Sequence, residues 1–365
     1  MPRSNRAESR SAPLSQTYGT TKEGRPVHIY ILTNDEGMEV TITNYGSTVV
    51  ALKVPDRDGK FEDVILGYDK LDDYEKGQSY FGGTIGRYAN RIAHGQFRID
   101  GRDYVLPKNS GDNTLHGGIK GFNKRVWTAD DISCSSGQAL QLTYLSEDGE
   151  EGFPGSLSVT VIFTVPRDDN HLRVDYRART AGKDTILNLT NHSFFNLGGA
   201  GKGDILGHQL RVQADHFTPI DATHVPTGEI RNVADTPFDF SRTTAIGERL
   251  YEDCEQLNFG KGYDHNWVLN RTGPSSLDLA AQAYDPMSGR MLEILTTEPG
   301  IQFYSGNFLD GTIQGKGSKT YEHRCAFCLE TQHFPDSPNH SHFPSTLLKV
   351  GERFRSSTVY RFSTR

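Results

Sequence analysis

Residues 186–197 read ILNLTNHSFFNL. Side chains of a strand alternate between its two faces. Leu187 and Leu189 therefore fall on one side, and Asn188, Thr190 and His192 on the other. Phe194, Phe195 and Asn196 follow at once. Three hydrogen-bonding side chains in a row, closed off by aromatics, describe the floor of a pocket for a small polar ligand. They equally describe a half-exposed strand on which His192 does nothing. The stretch alone leaves both open.

The same short apolar alternation recurs along the chain. Strands are expected over 27–32 and 38–43, paired across the NDEG turn at 34–37, and over 47–54 before PDRDGK. Segments 96–99 and 103–106 flank Asp100-Gly101, a compact hairpin signal. Further strands are expected at 140–145, 157–165, 172–180, 209–213, 266–269, 277–284, 290–296, 301–305, 324–331 and 358–362. Helical patterning is confined to 71–76 and to 244–251 after a Ser241 cap. This is the pattern of an all-β protein. One large β-sandwich domain over 15–365 is the first expectation, and two domains divided near residue 180 the alternative.

The chain has 365 residues, a formal net charge of −7, a pI near 6.0 and no basic stripe. Nucleic acid and anionic membrane are therefore poor partners. Residues 1–14 carry arginines without an apolar core, which describes a loose tail and not a secretory signal. No run approaches the roughly 18 apolar residues of a membrane span. Cys325 and Cys328 form a C-x-x-C on an expected strand, where positions three apart point to opposite faces, so a redox or metal pair is not expected. A cytoplasmic location and a monomer or weak homodimer are expected.

Two Gly-rich polar connections, 81–95 and 109–123, are expected to form the walls of a site. The acidic EDGEEGFPG at 147–155 lacks the ligand spacing of a calcium hand and reads as a solvated turn. GGAGKGD at 198–204 has Gly203 where a phosphate loop needs Ser or Thr.

The chemistry-bearing residues are Asn90-Arg91, His116 in LHGG, His192 in TNHSFFNL, Asp264 in GYDHNW, Gln302 in GIQFYSGNFLDG and Glu330 in CLETQ. In order, FGGTIGRYANRI, NTLHGG, DGEEGFPG, LNLTNHSFFNL, GYDHN, PGIQFYSGNFLDG and CLETQHFPDS resemble the aldose 1-epimerase (galactose mutarotase) family over nearly the whole chain. The resemblance implies a β-sandwich of the galactose mutarotase type with an open sugar-binding cleft and a few short helices. It implies Glu330 as catalytic base and His192 as catalytic acid. It implies Asn90, Arg91, His116, Asp264 and Gln302 as sugar-binding residues, with His116 assisting the chemistry.

Opening an aldose ring takes the O1 proton away and delivers one to O5, so one base and one acid suffice, without cofactor or metal. Unperturbed values of about 4.3 and 6.5 would leave Glu330 ionised and His192 protonated between them. Strand parity puts Glu330 on one face with Cys328 and Gln332, and Phe327 and Leu329 on the core face. A hexose 6-phosphate epimerase would want a basic cluster that is not found. A binding module without turnover would not need both Glu330 and His192. A glycoside hydrolase could use Asp264 with Glu330, but the histidines fit it less well. A metal site from His116, His192 and His265 is chemically possible but lacks the usual close spacing.

Overall fold

The computed structural model describes residues 12–77 and 79–365. Most of the expected tail lies outside the described residues. Its last residue, Leu14, does not belong to a tail. It opens the strand Leu14–Thr20, opposite Ile31 of Pro26–Thr33. That strand is mostly exposed, so hydropathy could not mark it; backbone pairing at a sheet edge holds it.

Among the described residues the regular structure is nearly all strand, joined by long turns and loops, with two short α-helices, Leu71–Lys76 and Glu255–Gly260. A five-stranded meander runs in chain order through Leu14–Thr20, Pro26–Thr33, Glu39–Thr43, Thr48–Pro55 and Phe61–Asp63. A nine-stranded sheet carries Phe354–Thr364 between His171–Ala181 and Arg290–Thr296. A boundary near residue 180 would cut that sheet in two. The third large sheet has six strands, in the order Phe194–Phe195, Phe327–Gln332, Gly300–Tyr304, Asp264–Leu269, Ala214–Thr218 and Arg231–Asn232. The pairings within these sheets are antiparallel.

One core joins the layers of this open β-sandwich. Val159, Val161, Phe163, Val174 and Tyr176 of the nine-stranded sheet pack with Trp267, Ile301, Phe303, Phe327 and Leu329 of the six-stranded sheet. Fully burying one such side chain contributes on the order of 1.5–3 kcal/mol.

Three expectations change. The expected helix at 244–251 is absent: Thr244–Ala245 pairs with Gln209 and Leu210, and turns follow. Two adjacent β-branched threonines and an interior Gly247 oppose a helix there, the glycine by about 1 kcal/mol relative to alanine. The stretch 186–197 is not one strand. Thr185–Ile186 pairs with Leu347–Leu348, Thr190–Asn191 with Thr84–Ile85, and Phe194–Phe195 with Phe327 and Cys328. The polar ladder is broken accordingly. Asn188 donates to the carbonyls of Ala89 (3.2 Å) and His333 (3.1 Å) and holds structure, not ligand.

The acidic turn is not simply solvated either. Glu150 accepts from Tyr144 and Ser146, and Glu151 accepts from the backbone N–H of Ile119 at 2.8 Å. Beneath them lies buried Arg87. Its Nε donates to Ser146 Oγ (2.8 Å), Nη1 to the carbonyls of Pro154 (2.9 Å) and Gly155 (2.7 Å), and Nη2 to those of Ser146 (2.8 Å) and Glu147 (2.7 Å). Burial lowers its pKa to about 10, which still leaves it charged at neutral pH.

Replacing Arg87 by leucine strands these acceptors. Arg87→Leu should lower the free energy of unfolding by about 3–5 kcal/mol. Arg87→Lys should recover only part, because an ammonium cannot fork to five acceptors. Urea denaturation checks both, and an unchanged midpoint for the leucine variant would show that the lock carries no load.

Candidate active site

Strand register builds the floor of the cleft. Glu330 lies opposite Gln302, and Gln302 opposite Asn266. One step along, Phe194 lies opposite Cys328, Cys328 opposite Tyr304, and Tyr304 opposite Asp264. Their neighbours Phe327, Leu329, Ile301 and Phe303 enter the core, so alternation turns this polar set to the other face. The expected strand parity of Glu330 holds.

The walls come from the two Gly-rich connections. Asn90 (φ +63°) and His116 (φ +51°) both occupy the left-handed region, which costs about 1–2 kcal/mol for a residue with a side chain. They hold each other there. The His116 N–H donates to the Asn90 carbonyl (3.0 Å), and the Asn90 N–H donates to His116 Nδ1 (3.1 Å). Gly117 follows with φ +85°, and a Cβ on it would lie 1.9 Å from the Gly86 carbonyl oxygen. The LHGG motif thus exists to bring this loop against 86–91.

Six of the seven expected site residues meet in one cavity of about 290 Å³: Asn90, Arg91, His116, His192, Asp264 and Glu330. Phe194, Tyr304, Phe308, Leu309 and Ile313 supply apolar wall. The seventh, Gln302, stands one side chain back and donates to Asp264 Oδ1 at 2.7 Å. His192 Nε2 lies 3.6 Å from Glu330 Oε2. Its ring is stacked between Phe194 (5.0 Å, 12°) and Tyr80 (5.8 Å, 16°), and His116 meets it edge-on at 5.0 Å. Cys328 Sγ is 3.5 Å from His192 Nδ1. Strand parity already set Cys328 on the face of Glu330. Tyr80 and His224 carry no motif of their own in the sequence, and only Tyr80, at the head of the FGG loop, lies beside one.

A family model described as Aldose 1-epimerase matches residues 28–361. The chain belongs to the aldose 1-epimerase family. It is 45% identical over 326 residues to galactose mutarotase of Bos taurus, covering 89% of this chain and 91% of that one. It is 36% identical over 351 residues to aldose 1-epimerase of Escherichia coli strain K12, covering 96% and 99%. Among solved structures it is similar to an aldose epimerase homologue from C. elegans (TM-score 0.83, 32% identity, 92% and 98% covered). It is also similar to galactose 1-epimerase from Lactobacillus acidophilus (TM-score 0.85, 29% identity, 98% and 99% covered).

The electrostatics of this epimerase-family cleft differ from the unperturbed expectation. Burial, and then the Asp264 charge, push the Glu330 carboxyl well above the usual range, with Arg91 opposing. Burial pushes His192 down to about 4. The order of the two titrations is therefore reversed. A 3.6 Å approach attracts opposite charges, but it is too long for a good hydrogen bond, and both groups have lost their water. These directions favour, for the singly protonated sugar-free pair, a proton on Glu330 and a neutral His192. Asp264 goes the other way: although burial raises it, His224, Arg91 and Gln302 together hold it well below the carboxylate range.

His116, His192 and Glu330 place ligand atoms within 4.8 Å of one another, close enough for a metal ion. His265, a chemically possible third ligand on sequence, instead packs among Phe217 and Phe238. The donor chemistry opposes a metal. His116 Nδ1 already accepts the Asn90 N–H, so the neutral ring carries its proton on Nε2. That nitrogen offers the cavity a donor rather than a lone pair.

Two measurements follow from this. In the sugar-free protein at pH 7, imidazole ¹⁵N spectra should show His116 and His192 both neutral, with His116 as the Nε2–H tautomer. The competent pair carries one proton in total. kcat/KM should therefore rise through a limb near pH 4, set by His192, and fall through one set by Glu330 well above the ordinary carboxyl range. A His192 imidazolium at pH 7 would reverse the assignment.

Proposed function

We propose that this protein is an aldose 1-epimerase, interconverting the α and β anomers of free aldohexoses such as D-galactose and D-glucose. The observation that carries this reading is the His192–Glu330 pair, 3.6 Å apart in a cavity lined with hydroxyl-binding groups. Glu330 Oε2 is buried without a hydrogen-bond partner among the described residues. Such an oxygen awaits a donor, and the O1 hydroxyl of an aldose is one.

In the proposed reaction Glu330 takes the O1 proton while His192 delivers a proton to ring oxygen O5. The C1–O5 bond breaks, its electron pair going to O5, and C1 becomes an aldehyde. Rotation about C1–C2 presents the other face. O5 then attacks C1, its proton returns to His192, and the aldehyde oxygen takes back the proton from Glu330. Ring opening converts a carboxylate and an imidazolium into a carboxylic acid and an imidazole, the neutral form that this buried cleft favours. Bound hydroxyls donating to Oε2, together with the Arg91 charge, favour the carboxylate before opening. His116 offers its Nε2–H to the sugar, Arg91 donates, Asp264 accepts, and Gln302 orients Asp264.

The 6-phosphate alternative is not favoured. Among the described residues lining the cavity, Arg91 is the only Lys or Arg, and its Nη1 faces Asp264 Oδ2 at 3.8 Å. A phosphate there would meet a carboxylate. Two further parts of the proposal are a free monosaccharide as substrate and a cytoplasmic setting; the unbridged buried thiols of Cys325 and Cys328 suit a reducing compartment. No helix among the described residues is long and apolar enough to cross a membrane.

Polarimetry of freshly dissolved α-D-galactose and α-D-glucose tests the reading. Glu330→Gln and His192→Asn should each lower kcat by roughly 10²–10⁴. The double variant should lose far less than the product, since the two act as a unit. Near-wild-type turnover by Glu330→Gln would end the mechanism.

The binding roles are tested separately. Arg91→Ala and Asp264→Asn should each cost on the order of 1.5–3 kcal/mol in kcat/KM. Dialysis against EDTA should leave the rate unchanged, and a loss restored by zinc would restore the metal hypothesis.

A further inference from the structure

A third histidine stands at the Arg91–Asp264 end of the cleft. Asp264 Oδ1 is committed to Gln302 (2.7 Å). Its Oδ2 lies 3.8 Å from Arg91 Nη1 and 3.7 Å from His224 Nδ1. Arg91 Nη2 and His224 Nδ1 are 3.4 Å apart. Three polar groups thus converge, and both contacts to Oδ2 are longer than a normal hydrogen bond. That is the spacing expected around a position for one further oxygen atom, which could donate to Oδ2 and accept from Arg91 or from the imidazole.

The loop is shaped to deliver this ring. His224 sits at φ +65°, a conformation that costs a histidine free energy and is typical of residues held in place for function. Asp221 Oδ1 accepts from the N–H of Thr223 (2.7 Å), from its hydroxyl (2.7 Å) and from the N–H of Val225 (3.2 Å), while the His224 N–H donates to the Asp221 carbonyl (2.9 Å). Gln256 pins Ile220 through both its N–H (2.7 Å) and its carbonyl (2.9 Å). Asn113, from the connection that carries His116, donates to the Thr223 carbonyl at 3.3 Å. The imidazole lies over Phe308, a cavity-wall residue, with centroids 6.0 Å apart and planes at 25°.

We propose that His224 is a sugar-binding residue, forming with Arg91 and Asp264 a three-sided socket for one hydroxyl of the aldose remote from the reacting C1–O5 bond. It thereby helps set which aldose is preferred. This rests on the epimerase reading above. The socket lies away from the His192–Glu330 pair in role, so it should contribute to binding and leave the proton transfers to that pair.

The test uses the full chain with His224→Asn and His224→Gly, two residues that accept a positive φ, so that loss of the ring is separated from loss of the loop. With D-galactose each variant should raise KM about 3–10-fold, the worth of one neutral hydrogen bond, with the loss falling on KM rather than kcat. The same comparison is then made with D-galactose analogues that each lack one hydroxyl away from C1. For one analogue, wild type and variant should have the same KM, because the hydroxyl that the socket reads is gone. Circular dichroism and thermal unfolding check that the variants fold. An unchanged KM with D-galactose would overturn the inference, as would an equal penalty for every analogue, which would make His224 a support for the pair and not a sugar contact. If the wild-type protein fails to mutarotate any of these sugars, the epimerase reading itself falls, which is a separate result.

Discussion

The two-residue period of three neighbouring strands is the constraint on which the rest depends. Phe327–Gln332, Gly300–Tyr304 and Asp264–Leu269 send Phe327, Leu329, Ile301, Phe303 and Trp267 into the core. The residues between them, Glu330, Gln302 and Asp264, are obliged to turn the other way. The apolar side chains that anchor the sheet therefore also position Glu330, Gln302 and Asp264. A one-residue slip in register would bury Glu330 in the sandwich and expose its neighbours, so hydrophobic burial itself protects the placement of the site.

The loops that complete the cleft bury apolar anchors of their own, among them Tyr88, Ile92 and Phe122, and polar locks fix their path. Arg87 gathers the carbonyls of 146–155. Glu151 accepts from the backbone beyond Gly118, and Asn90 and His116 hold each other through paired backbone contacts. Each lock sets buried or half-buried polar groups against hydrogen-bond partners. The cost is accepted because a sugar offers only hydroxyls, and these must be met by groups already in place.

Desolvation then tunes the chemistry. A carboxyl pushed up and an imidazole pushed down form a pair that is neutral when the cleft is empty. The aromatic faces of Phe194 and Tyr80 on either side of His192 keep water from that ring and fix its plane. In the proposed reaction, proton exchange with a ring-opening sugar begins from charged partners and ends with neutral ones, so burial that would be a burden for a structural ion pair helps in the direction of opening. The same burial makes Asp264 depend on Arg91 and His224 to remain a carboxylate.

Much of this was legible in the chain. Alternating runs located most long strands to within a few residues, because a half-buried strand writes its period into the sequence. The motifs around Asn90, His116, His192, Asp264 and Glu330 marked residues that do meet in one cavity. What was hidden has physical causes. The edge strand Leu14–Thr20 is held by backbone bonds and not by burial. The run 186–197 is split among three partners, so its apparent polar ladder dissolves. His224 sits in a loop with no periodic signal, and only the folding of 219–226 against Asn113 and Gln256 brings it to Asp264. By itself the sequence determined most of the long strands, their core face and the chemical types at the site. Tertiary structure alone decided which polar groups lost their water and which charges faced them, and hence where the proton rests, because a pKa depends on surroundings drawn from the whole chain.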